Sequence, residues 1–166
     1  MWVFFDANML FLAAKSDGVI RGLVSRLLAA EHECWVDAYV VDEARRNISA
    51  KAPNSGPKLD HIVSQLRLSA STPAQTRGHA LHAVAEKDRP VVAAATALGC
   101  ESLVTGDRTH FEKFFGQSIT GVDGFERGES RSKPFQAPLR PIACGRCDRV
   151  LVCPLVPTPV LAHGKA

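Results

Sequence analysis

The stretch Glu86–Phe111, EKDRPVVAAATALGCESLVTGDRTHF, constrains the fold more than any other part of the chain. It predicts a helix that begins at one carboxylate and a strand that ends at another. Asp88 is placed to cap the helix, and Pro90 suits a first turn, where its missing N–H would be unpaired anyway. Val91–Leu98 is Ala-rich and apolar, as a helix packed on a sheet should be, and Gly99 suits the position just past its end. Ser102–Thr105 then reads as a short buried strand, stopped by Gly106-Asp107. A link this short makes the helix run back along the sheet, so its start lies beside the edge where the strand ends. Asp88 and Asp107 are therefore expected to be neighbours at the carboxyl edge of a parallel sheet, where open α/β sheets bind ligands.

The rest of the chain supplies that sheet. Trp2–Phe5 is a continuous apolar run of β formers, read as a buried central strand that ends at Asp6. A helix follows through Met9–Leu12, with Asn8 at its start, and Asp17-Gly18 breaks it. Ile20–Ala30 has apolar residues at helical spacing, Cys34–Val36 reads as a second strand, and a long helix starts near Tyr39. Lys51–Lys58 is a loop by composition, Leu59–Leu68 is helical in pattern, and a third strand is expected around Leu66–Ser71. Thr76–Glu86 reads as a short helix, His110–Phe115 as one or two helical turns, and Gln117–Val122 as a final edge strand. Alternating strands and helices imply a layered α/β fold with a mainly parallel sheet.

At 166 residues one domain is expected, with a core that needs no staples. The boundary is placed at 1–126 for the folded domain and 127–166 for a tail that holds six of the ten prolines and is read as extended or disordered. The charge of +3 is uneven: the tail has seven Lys/Arg against two acids, and the body is slightly acidic. Charge alone therefore does not make the body a nucleic-acid clamp. No apolar run is long enough to span a membrane, and the N-terminus lacks a basic leader, so the expected location is cytoplasmic. Cys34 and Cys100 read as small core residues. Cys144, Cys147, Cys153 and His163 are too irregular in spacing for a firm zinc site, and the three-residue spacing of His79 and His82 lacks partner ligands.

The direction argument places two further acids at the same edge. Asp6 ends a strand, and the helix near Tyr39 is entered from one. Asp42 and Glu43 differ by about 100° around that helix, so one of them can face the site; Glu43, which shares a face with Asn47, is favoured. Taken singly, each acid has an ordinary structural role open to it, as a cap, a turn residue or a solvated helix residue. Taken together, four carboxylates repel one another unless a cation neutralises them. An oxygen-only donor set suits Mg²⁺ or Mn²⁺ rather than zinc, and phosphodiester hydrolysis is the natural use of such an ion. Arg45, Arg46, Arg89 and Arg108 lie beside these acids in sequence and are candidate phosphate contacts.

The segments FFDANML, VVDEARRN, KDRPVVAAA and LVTGDRTHF resemble, in order and separation, the successive motifs of PIN-domain ribonucleases, including the VapC-type toxins. The resemblance covers about residues 1–122. It implies a Rossmann-like α/β/α sandwich and Mg²⁺- or Mn²⁺-dependent RNA cleavage, and it carries the metal-site role onto Asp6, Glu43, Asp88 and Asp107. Asn8 and Thr105 match the family's supporting polar positions. An antitoxin partner and a homodimer are expected from the resemblance alone. Many members have a further acid shortly after the position of Asp107, whereas Arg108, Thr109 and His110 stand here, with His110 read as a phosphate contact or a cap of the short helix. Residues 122–125, Val-Asp-Gly-Phe, also depart from the family's closing pattern.

The function expected is a metal-dependent endoribonuclease acting on single-stranded or loop RNA. One alternative is a non-catalytic PIN-like module that binds RNA or protein. Another is a phosphohydrolase with an aspartyl-phosphate intermediate, which ranks last because Asn8 stands where its second Asp is needed.

Overall fold

The computed structural model describes residues 1–70, 84–111, 119–120 and 151–156, with backbone alone for Arg108 and for the last two segments. Strand β1 (Trp2–Phe5) leads into helices α1 (Ala7–Lys15) and α2 (Val19–Ala29), then β2 (Glu33–Asp37), α3 (Ala38–Lys51), α4 (Gly56–Ser64) and β3 (Arg67–Ser69). Further along the chain come α5 (Arg89–Ala97), β4 (Ser102–Thr105), the short α6 (Arg108–Phe111), β5 (Ile119–Thr120) and β6 (Leu151–Val156). The expected helix at 76–86 is not described over 76–83, and residues 86–88 form a 3-10 turn.

The sheet order is β3-β2-β1-β4-β6-β5. The first four strands are parallel, with Phe4 opposite Trp35 of β2 and Leu103 of β4. The crossovers β1→β2 and β2→β3 step the same way along the sheet, so α1–α4 share one face by the right-handed rule; the return to β4 puts α5 on the other. The result is an α/β/α sandwich with a mainly parallel sheet. Because the chain leaves β1 first toward β2 and later returns to its opposite flank at β4, the order reverses between β1 and β4. Ligand crevices of open α/β sheets form at such a reversal.

Phe4, Phe5, Met9, Leu10, Leu59, Leu103 and Phe111 are fully buried, and each large side chain so placed contributes about 1.5–3 kcal/mol. Cys34 and Cys100 belong to this core, and burial pushes their thiols up to about 11 and about 12. Gly99, with φ +69, ends α5 in the left-handed region that suits a residue without Cβ.

Two boundaries differ from the sequence reading. The loop expected over 51–58 is a 3-10 turn at Pro53–Ser55 followed directly by α4, whose second residue is Pro57, a conformer already set for a first turn. In addition, Leu151–Val156, assigned to the tail, pairs antiparallel with β4 and parallel with β5. β4 is therefore an interior strand. The remaining expectations for the tail, including Cys144, Cys147 and His163, and those for His79 and His82, lie outside the described residues.

Candidate metal centre

Of the acids at helix starts, Asp6, Asp37 and Asp88 behave differently. Asp37, the last residue of β2, caps α3: its Oδ1 accepts the Val40 N–H at 2.8 Å. Asp6 and Asp88 occupy the corresponding positions before α1 and α5, yet neither side chain makes a cap hydrogen bond. The capping role expected for Asp88 is thus not realised, because the preceding 3-10 turn leaves it with φ −97 and ψ −10 rather than the extended backbone of a capping residue. Both carboxylates are left for other partners.

Those partners lie at the β1/β4 reversal. Asp6 N–H donates to the Val104 carbonyl at 3.1 Å, fixing the end of β1 beside β4. The fully buried Thr105 hydroxyl donates to Asp6 Oδ2 at 2.7 Å and accepts the Asp107 N–H at 3.0 Å. One hydroxyl therefore couples the two strand ends. Asp107 accepts the His110 N–H on Oδ1 at 3.3 Å, while its Oδ2 lies 2.7 Å from His110 Nδ1 and 3.4 Å from Lys87 Nζ. His110 Nδ1 is also 3.6 Å from Asp88 Oδ2. Ligand atoms of Asp88, Asp107 and His110 all lie within 4.8 Å of one another.

The electrostatics of the acids follow from this crowding. Burial raises Asp6 above the usual carboxylate range, against the Thr105 and Ala7 hydrogen bonds, and the nearby charges of Glu43 and Asp88 raise it further. Burial likewise raises Asp88, with Lys87 and His110 opposing and Asp107 adding to the rise. Burial also acts upward on Asp107, but the His110 bonds and Lys87 outweigh it and hold that carboxyl low. Glu43 is half-buried and within electrostatic reach of Asp6, whereas Asp42 is exposed.

The supporting residues divide. Asn8 is half-buried in the first turn of α1. Arg89 Nε donates to the Val84 carbonyl at 3.2 Å, holding the entry to α5, and Arg45 pairs with Asp60 of α4 at 3.1 Å. Both guanidinium groups thus have structural contacts that sequence adjacency to the acids did not predict. The Arg108 side chain is outside the described residues. The cap of α6 is Asp107 rather than His110, whose ring instead engages the carboxylates. Lys87 had no site role in the sequence reading. The only available signal was its place beside Asp88, because its approach to Asp107 depends on the fold.

A divalent cation fits this donor set. Among the described residues the buried Asp88 Oδ2 has no hydrogen-bond partner, with His110 Nδ1 3.6 Å away, and burial penalises the charge of both Asp6 and Asp88. Buried charge is costly, and a hard cation is a partner that oxygen donors accept.

No family model matches the chain, and no curated protein does either. Among solved structures, a chain of VapBC2 from Rickettsia felis, crystallised bound to a DNA fragment from their promoter, is similar with a TM-score of 0.54 and 19% sequence identity. The match covers 68% of this chain and 92% of that one. At this identity the likeness is one of fold.

Proposed function

We propose that this chain is a PIN-type endoribonuclease dependent on Mg²⁺ or Mn²⁺, and that it serves as the toxin of a toxin–antitoxin pair. The observation that carries the nuclease reading is the cluster of Asp88, Asp107 and His110 at the β1/β4 reversal, to which Thr105 ties Asp6; Glu43 is within electrostatic reach of Asp6 but, like Asp6, lies outside that cluster. The similar fold in the VapBC2 structure supports the PIN assignment and, with it, an antitoxin partner. RNA as substrate and a homodimeric state rest on the motif resemblance.

In this reading Asp6, Glu43, Asp88 and Asp107 hold the ion, which when bound supplies Lewis-acid polarisation of a phosphoryl oxygen and a lowered pKa for water. The chain's own groups set the geometry. Thr105 fixes Asp6 relative to the Asp107 turn, His110 fixes both oxygens of Asp107, and Asp37 starts the helix that carries Glu43. Lys87 brings an ammonium to the rim, where an RNA phosphate would meet it; Asn8, Arg89 and Arg108 are assigned supporting contacts. The small acidic mouth suits single-stranded RNA rather than a long duplex.

Cleavage of a single-stranded RNA by the full chain tests the reading. Cutting is expected with Mn²⁺ or Mg²⁺, to stop with EDTA, and to fall at least about a hundred-fold in Asp6→Asn, since misplacing a reacting group by 1 Å alone costs about that much. Cleavage that survives both changes would contradict a metal nuclease. RNA binding without cleavage would favour a non-catalytic module.

A further inference from the structure

We infer that His110 Nε2 contacts the ribose 2′-hydroxyl of the nucleotide bound at this rim, so that His110 is the residue by which the site tells RNA from DNA. The inference rests on the nuclease reading above and deepens it.

Three observations carry it. The first is which ring nitrogen is already committed. His110 Nδ1 lies 2.7 Å from Asp107 Oδ2, and the contacts of that carboxyl hold it low, in the ionised form that can only accept. Nδ1 is therefore the donor that holds Asp107, and Nε2 is left for another partner. The second is that Nε2 is open. The His110 side chain is 31% exposed. Among the described residues its Nε2 makes no hydrogen bond, and it is not one of the buried polar atoms left unpaired. The third is what stands beside the ring. The exposed Lys87 brings its Nζ to the same Asp107 oxygen at 3.4 Å, so an ammonium and an imidazole are neighbours on one carboxylate.

That pair matches the two parts of one nucleotide. A phosphate that meets Lys87 carries a ribose beside it, within reach of the neighbouring ring. With the ring proton on Nδ1, Nε2 presents a lone pair, and a lone pair needs a donor. Phosphodiester oxygens only accept; the one donor on an RNA backbone is the 2′-hydroxyl, and a DNA backbone has none. A hydroxyl both donates and accepts, so the contact does not depend on the charge of the ring. Lys87 thus supplies attraction to any strand, and His110 supplies the choice of sugar.

The test compares a short single-stranded oligouridine with its 2′-fluoro counterpart, which keeps an RNA-like sugar pucker and lacks the donor. Cleavage by the full chain with Mn²⁺ and affinity by fluorescence anisotropy are both read. The wild-type chain is expected to favour the ribo-oligomer about ten-fold, the size of one net hydrogen bond. His110→Asn keeps an amide N–H to hold Asp107 and removes Nε2; it is expected to lose the preference, whatever rate it retains. A wild-type chain that treats the two oligomers alike would overturn the inference, and cleavage of both would leave the nuclease reading standing. A His110→Asn chain that weakens on both oligomers together and keeps the wild-type preference would show that the ring only positions Asp107, which also overturns it. The affinity ratio is read whether or not the RNA is cut, so loss of the nuclease reading is distinguishable from loss of this one. A wild-type chain that neither cuts nor binds the ribo-oligomer would overturn both. The wild-type comparison needs no substitution, so it holds even where the variant fails to fold.

Discussion

At the scale of single residues, Asp37 and Asp6 show how one residue type does two jobs at one sheet edge. Asp37 is buried and caps α3, and burial raises its carboxyl above the usual range despite the backbone N–H bonds it accepts. The folded state therefore keeps a proton that the unfolded chain has released. Stability contributed by this group falls as pH rises from the ordinary carboxylate value through the raised one, and the cost is fully present above it. Asp37→Asn retains an acceptor for Val40 without the charge. It is expected to flatten that slope and to be no less stable than wild type at neutral pH. Asp37→Ala loses the cap and is expected to cost about 1 kcal/mol. Urea unfolding across a pH series measures both, and a steeper slope in the Asn variant would contradict the assignment. Asp37 is not legible in the sequence as a cap, because the apolar run ends at Val36 and the helical pattern becomes visible only near Tyr39, although Asp37 closes β2 and caps α3. Asp6 and Asp107 were legible as strand-end acids. The freedom of Asp88 from capping and the approach of Lys87 and His110 to Asp107 were not, since they depend on a turn geometry and on contacts between segments.

At the scale of elements, β6 has the largest consequence. The run Leu151–Val156 is apolar but interrupted by Pro154, which lacks a ladder donor, and it follows a long proline-rich stretch. Local pattern therefore argued against a strand, and only pairing with β4 reveals one. Its register sets Leu151 opposite Thr105 and Pro154 opposite Ser102, along the strand that ends at the site. A chain cut before Leu151 is expected to leave β4 as an edge. Its Ser102–Thr105 amides should then exchange much faster than those of β1, whereas in the full chain β4 has partners on both sides. Unchanged protection of β4 after the cut would show that β6 does not support it. By contrast, β1, β2, β4 and α5 were readable from sequence because each is a continuous apolar or Ala-rich run bounded by clear stops.

At the scale of the whole molecule, the order β3-β2-β1-β4 sets the end of β1, with Asp6, beside the end of β4, with Thr105 and Asp107. Sequence direction alone implied that neighbourhood, because strands that end and helices that begin lie at the carboxyl edge of a parallel sheet. Of the four acids expected there, Asp88 and Asp107 cluster with His110, while Asp6 and Glu43 stand outside that cluster. Among the described residues the half-buried Asp88 leaves its Oδ2 without a hydrogen bond and 3.6 Å from His110 Nδ1, an arrangement that a bound cation would complete. The most direct measurement is anomalous diffraction from a crystal of the full chain grown with Mn²⁺. The account predicts a peak at the β1/β4 edge within about 2.1 Å of carboxylate oxygens from both Asp88 and Asp107, with Asp6 beside it. Ordered side chains at that edge with no peak between them, at a Mn²⁺ concentration that saturates other metal nucleases, would contradict it.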